Sequence, residues 1–142
     1  MKIVSIAVSK RKGTQKDLVD SALLIVNHGL EGDAHAGEWH RQVSFLASES
    51  IARSRDQGLE VDFGAFAENI ATEGIEWLEV PVGTRLRLGD RAEVEITQIG
   101  KECHKKCAIF YKAGDCIMPK EGVFAKVLKD GAIKVGDPIT FI

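Results

Sequence analysis

Apolar residues in this chain come in short runs that glycine interrupts. The Ile- and Val-rich run at 2–8 predicts a first strand, and the run at 22–26 a second, buried one. The clearest signal lies at 85–88, Arg-Leu-Arg-Leu, and at 93–96, Glu-Val-Glu-Ile, where polar and apolar positions alternate. Gly89-Asp90 between them predicts a hairpin with one buried face, led into by a turn at 81–84. Residues 132–135 and 138–142 predict a closing strand pair around Gly136-Asp137. Two segments predict helix. One, 48–57, starts on the cap residue Ser48 and stops at Gly58. The other, 122–129, places Val123, Phe124, Val127 and Leu128 on one helical face before Gly131. Strands outnumber helices and do not alternate regularly with them. The pattern predicts a mainly β domain, a barrel or sandwich with a few short helices, and argues against a doubly wound sheet.

Composition narrows the class. The 142 residues suit one domain spanning 1–142, and the apolar fraction of 44% is enough for a real core. A net charge of −2 provides no global basic footprint for nucleic acid. The small basic clusters, Lys10-Arg11-Lys12 and Lys101 with Lys105-Lys106, read as solvated surface. No run approaches membrane-spanning length, and the apolar N-terminus is too short for a signal-peptide core. Three cysteines, an odd number without an export signal, point to free thiols in a reducing cytoplasm.

Three segments carry candidate chemistry. The first runs from Gly29 through Gly32-Asp33-Ala34-His35 to His40-Arg41. Its glycines allow close backbone approach and its amides suit anions, while Arg41 suits a phosphate. Asp33 and His35 are an alternative metal pair, and a structural loop whose His and Asp cap backbone is the blander reading. It lacks the Gly-Lys-Ser/Thr ending of a P-loop. The second is Lys101-Glu102-Cys103-His104-Lys105-Lys106-Cys107, with Cys116 further on. A thiolate ligates soft metals or carries sulfur, and neighbouring lysines favour it. Cys103 is the most charged of the three in its surroundings. Cys107 and Cys116 adjoin apolar residues and read equally as buried packing. The three cysteines with His104 also offer a structural zinc set, although the spacing lacks paired Cys-x-x-Cys knuckles. The third segment, Phe63-Gly64-Ala65-Phe66-Ala67-Glu68-Asn69-Ile70, holds Glu68 and Asn69 inside an apolar stretch, where they either orient a site or simply cap a turn. No Ser-His-Asp set, nucleotide fingerprint or catalytic carboxylate pair stands out.

Taken in order, these segments resemble the MOSC family, named for the C-terminal domain of molybdenum-cofactor sulfurase. The 29–43 stretch is similar to the family's Gly-Asp-x-His loop, and 63–70 to its Phe-Gly-Glu-Asn element. The 81–89 stretch resembles its barrel hairpin, Lys101-Glu102-Cys103 falls at its characteristic cysteine, and 122–137 resembles its closing segment. One departure is Ala67, where the family often has glycine.

The resemblance implies a β-barrel with short flanking helices, and Cys103 as the thiol that binds molybdenum or carries sulfur. It implies the molybdenum cofactor, molybdopterin, as ligand, with Arg41 and Lys101 toward its phosphate and with Asp33, His35, Glu68 and Asn69 shaping the site. Cys107, Cys116 and His104 are the weaker metal candidates. The chain is similar to the short stand-alone members and has no room for a pyridoxal-phosphate desulfurase domain, so pyridoxal phosphate is not expected on it. The implied partners are a cofactor or sulfur donor, such as a cysteine desulfurase or other cofactor-biosynthesis enzymes. Enzyme or carrier is left open, and a small structural zinc protein is the alternative.

Overall fold

The computed structural model describes residues 1–10, 16–58, 62–100 and 121–142. Eleven strands and one α-helix are formed among them. They are β1 (Lys2–Val8), β2 (Asp17–Val19), β3 (Ser21–Ile25), β4 (Gly29–Leu30), β5 (Val43–Ala47), α1 (Ser48–Asp56), β6 (Ile70–Glu73), β7 (Arg85–Leu88), β8 (Ala92–Ile99), β9 (Val123–Lys129), β10 (Gly131–Lys134) and β11 (Ile139–Phe141). A 3₁₀ turn, Trp77–Glu79, precedes β7. The protein is mainly β, as its glycine-punctuated apolar runs predict. No helix among the described residues is long and apolar enough to cross a membrane.

Eight strands form one sheet in the order β11-β7-β8-β9-β5-β6-β1-β2, and a smaller sheet runs β10-β3-β4. Every pairing is antiparallel except β5 with β6. That parallel pair needs a crossover, and α1 supplies it. The large sheet curls until the start of β1 meets the approach to β11. Ile3 N–H donates to Asp137 O at 2.9 Å, and a lone bridge joins Lys2 to Pro138. No strand pairing closes this seam among the described residues.

Two clusters make up the interior. The main one takes the inward faces of β1, β5, β7, β8 and β9, including Ile3, Phe45, Leu86, Val94 and Ile96. The second lies on the other face of β5, β6 and β9, where Leu46, Ala71 and Phe124 meet Ile51 of α1 and Phe66.

The 85–96 hairpin forms as expected, with Leu86 paired to Val94 and both buried. Three expectations are corrected. Within 122–129, Val123–Lys129 is a strand, because β9 sits between β8 and β5 and its first half is buried on both faces. Val123, Ala125 and Val127 enter the main core while Phe124 enters the second, and this spreads apolar residues over neighbouring positions as a helix would. The last two strands do not pair with each other, since β10 joins β3 and β11 joins β7. Helix α1 is capped by Ala47 without a side-chain bond, so Ser48 is its first residue and not its cap.

Candidate functional site

Three segments that are distant in sequence meet at the end of β1. The loop after β4 turns back so that Ala34 N–H donates to Ser9 O at 2.7 Å. Strand β4, which leads into it, opens on a residue that must be glycine: at Gly29 φ is +128°, and a Cβ there would lie 2.3 Å from Gln42 O. Just after it comes Asp33, whose side chain is fully buried. Asp33 Oδ1 accepts Lys16 Nζ at 2.6 Å and Ser9 N–H at 3.0 Å, and Oδ2 accepts His35 N–H at 3.2 Å. Lys16 is buried to the same degree, at 1% side-chain exposure. Its ammonium also lies 3.0 Å from His35 Nδ1. A buried ion pair of this kind tolerates its desolvation only with such geometry and further hydrogen bonds.

The third segment holds Lys16 from behind. Lys16 N–H donates to Gly64 O at 3.0 Å, and a Cβ on Gly64 would fall 2.6 Å from Lys16 O. The turn after Gly64 carries Ala67 at φ +62°, in the left-handed region where side chains are strained. Glu68 is buried, with its two oxygens accepting Gly64 N–H at 2.6 Å and Phe66 N–H at 3.1 Å. Burial raises its carboxyl to a pKa of about 7, against the pull of those N–H groups and of the Lys16 charge. Asn69 ties β1, β5 and β6 together. Its Oδ1 accepts Ser44 N–H at 2.9 Å, its Nδ2 donates to Ala7 O at 3.1 Å, and its N–H donates to Ser44 Oγ at 3.0 Å.

The loop continues from His35 into an aromatic and basic edge. Trp39 Nε1 donates to His35 O at 2.9 Å, which links this edge to the buried cluster. The Arg41 guanidinium lies 4.5 Å from the centroid of the Trp39 ring and 5.6 Å from that of Phe124. Arg41 is half-buried, and its Nε has no hydrogen-bond partner among the described residues. His40 meets Gln98 at 2.8 Å, and Gln98 Nε2 donates to Gly100 O at 2.7 Å. Gly100 N–H in turn donates to Gly122 O at 2.6 Å, at the two ends of the 101–120 segment.

Of the expected residues, the structure thus joins Asp33 and His35 directly, places Glu68 in the turn behind Lys16, and has Asn69 pinning the strands beneath. Arg41 stands at the edge next to β8 and β9. Lys101, Cys103, His104, Cys107 and Cys116 lie outside the described residues. Among those described, no group of His, Cys, Asp and Glu could hold a metal ion. The sequence reading passed over Lys16, Ser44, Trp39 and Phe124. Nothing in the sequence pointed to Lys16; the glycine at 64, where a Cβ would meet Lys16 O, is the one signal that could have marked a close backbone approach there.

A family model, that of the MOSC domain, matches residues 32–140. No curated protein matches the sequence. Solved structures share the fold. YiiM from Geobacillus stearothermophilus is 25% identical, with a TM-score of 0.76 over 99% of this chain and 74% of its own. The YUAD protein from Bacillus subtilis is 17% identical, with a TM-score of 0.78 over 97% and 93%. YiiM from Escherichia coli is 23% identical, with a TM-score of 0.69 over 100% and 70%.

Proposed function

Since the chain belongs to the MOSC domain family, we propose that it handles the molybdenum cofactor, binding it or passing sulfur to it, with the Cys103 thiolate as the reactive group. The observation that carries this reading is Arg41. Its half-buried guanidinium lies against two rings, and its Nε is buried without a hydrogen-bond partner among the described residues, which supports reading Arg41 as the group that receives an anion. The pterin cofactor carries a phosphate, which a guanidinium would pair with. Lys101 would add a second positive charge. Cys103 is three residues past Gly100, and three residues span at most about 11 Å. Gly100 itself is tied through Gln98 to His40, the neighbour of Arg41.

When bound, the cofactor would supply a metal centre and a site for sulfur. The chain's own residues divide the remaining work. Arg41 and Lys101 hold the anion, and Cys103 presents its thiolate as metal ligand or sulfur carrier. Asp33, Glu68 and Asn69, whose side chains are spent on protein groups, fix the backbone that shapes the site. The partner in this reading is a cofactor or sulfur donor protein such as a cysteine desulfurase. Membership also supports reading the curled sheet as the family's barrel, with its seam where Lys2 meets Pro138.

The test is expression in a host that makes the cofactor, followed by metal and pterin analysis. Molybdenum and pterin should co-purify with the wild type and be lost in Arg41→Ala. Cys103→Ala should lose the metal or the carried sulfur. One equivalent of zinc, with unfolding on chelation and no pterin, would overturn the reading in favour of a structural zinc protein. Turnover of N-hydroxylated substrates with an electron donor would distinguish an enzyme from a carrier.

A further inference from the structure

The contact between Lys16 and His35 fixes more than position. An ammonium has three donors and no acceptor, so at 3.0 Å the His35 Nδ1 must be the acceptor. Asp33 Oδ1 lies 2.6 Å from Nζ as the counter-charge of the ammonium, and the pair is buried. Asp33 Oδ2 also faces the ring at 4.0 Å and would favour an imidazolium, but Lys16 is nearer and already neutralises that carboxylate. The backbone on either side of the ring is held as well, by His35 N–H on Asp33 and by the Trp39 indole on His35 O. The Lys16 contact on Nδ1 holds the ring itself against turning over.

We propose that the Lys16–Asp33 pair locks His35 into one neutral tautomer, with Nδ1 accepting from Lys16 and Nε2 carrying the proton. Locked in this way, His35 has no lone pair to offer a metal from either nitrogen, nor a base for proton abstraction. In this tautomer Nε2 is a hydrogen-bond donor and pairs with an acceptor atom. His35 is a positioning residue, with specificity for acceptors over donors. That this acceptor belongs to the cofactor or its substrate rests on the function proposed above; the lock itself does not.

The experiment is a two-bond ¹H–¹⁵N correlation spectrum of the uniformly labelled full chain, purified from a host that does not make the cofactor. It is recorded above the ordinary histidine pKa of about 6.5, and His35 is assigned by comparison with His35→Gln. The expected result is one acceptor-type nitrogen, Nδ1, and one protonated nitrogen, Nε2, with no averaging between tautomers. Averaged nitrogen signals, or a proton on Nδ1, would overturn the proposal. Lys16→Met combined with Asp33→Leu removes both charges together and should release the ring to average between tautomers. Retention of the single tautomer in that folded variant would also overturn the lock, and if the variant does not fold, the wild-type spectrum decides. Adding zinc to a variant with all three cysteines changed to serine should leave the His35 nitrogens unmoved; displacement of either signal by the metal counts against the assignment. Cofactor is absent throughout, so failure of the proposed function leaves these outcomes intact.

Discussion

Asp33→Ala is the sharpest probe of the cluster at the end of β1. The substitution leaves the Lys16 ammonium, at 1% side-chain exposure, without the carboxylate that sat 2.6 Å away. Removing one partner of a buried pair costs about 3–5 kcal/mol. Two backbone N–H groups, of Ser9 and His35, lose their acceptor as well, at about 1 kcal/mol each where water cannot replace it. An upper bound on the charge penalty follows from proton loss: a lysine of ordinary pKa, about 10.4, gives up its proton at pH 7 for about 4.6 kcal/mol. The expected total is about 4–6 kcal/mol at pH 7, a large share of the stability of an ordinary domain. If the lysine escapes by deprotonating, the folded variant binds one proton fewer than its unfolded chain. Stability then rises with pH, and the deficit shrinks by about 1.4 kcal/mol per unit above pH 7. Urea unfolding followed by tryptophan fluorescence at several pH values reads both quantities, because Trp77 is buried and Trp39 lies beside the cluster. A loss below about 1 kcal/mol would refute the structural role given to Asp33. So would a variant of unchanged stability that only fails to retain cofactor, which would make Asp33 a ligand contact.

Four further outcomes are expected. Glu68 has its pKa raised from 4.5 to about 7, so the folded state holds a proton that the unfolded chain releases between those values, and its share of stability falls as pH rises through that window, by about 3 kcal/mol in full. Urea midpoints measured across this range should show the fall in the wild type and a flatter profile in Glu68→Gln. Ala67→Gly relieves a left-handed residue and should raise stability by about 0.5–1 kcal/mol, a shift of about 2 °C in Tm by calorimetry, while Ala67→Val should lower it. Gly64→Ala drives a Cβ against Lys16 O and should destabilise by about 2 kcal/mol or more in the same assay. Arg41→Lys should retain little pterin, since an ammonium keeps the charge but loses the stacked planar donor set; pterin content like that of the wild type would count against stacking as the reason for Arg41.

How much of this was legible depended on how many faces each strand buries. The 85–96 hairpin is half-exposed, so its period of two survives in the sequence, with Leu86, Leu88, Val94 and Ile96 inside and Glu93 and Glu95 paired with surface Arg and Lys. Strands β5 and β6 and the first half of β9 are buried on both faces, and their alternation is erased. Val123, Phe124 and Ala125 are all buried in succession, so β9 imitated a helix, and β5 and β6 passed unnoticed. The closing strands were found as strands but paired wrongly. Nearness in sequence favours a hairpin, whereas their partners, β3 and β7, were chosen by the curl of the sheet.

The site followed the same rule at the level of single residues. Glycines at 29 and 64, and the acids and amides beside them, are visible as motifs because only special backbone tolerates them. Lys16 was invisible: a lysine between Gln15 and Asp17 reads as solvent-facing until the third dimension brings Gly64 and Asp33 around it. Its discovery changes the meaning of the motif residues. Asp33, Glu68 and Asn69 look like ligand-binding groups in sequence because they are polar amid apolar neighbours, yet each has its side chain committed to protein donors or acceptors. Arg41 differs in kind, because a donor on it has no partner among the described residues. A buried polar residue that is fully satisfied preserves a shape, whereas an unsatisfied one calls for a further partner. By that criterion Asp33, Glu68 and Asn69 are scaffold, and in the function proposed above recognition is assigned to Arg41.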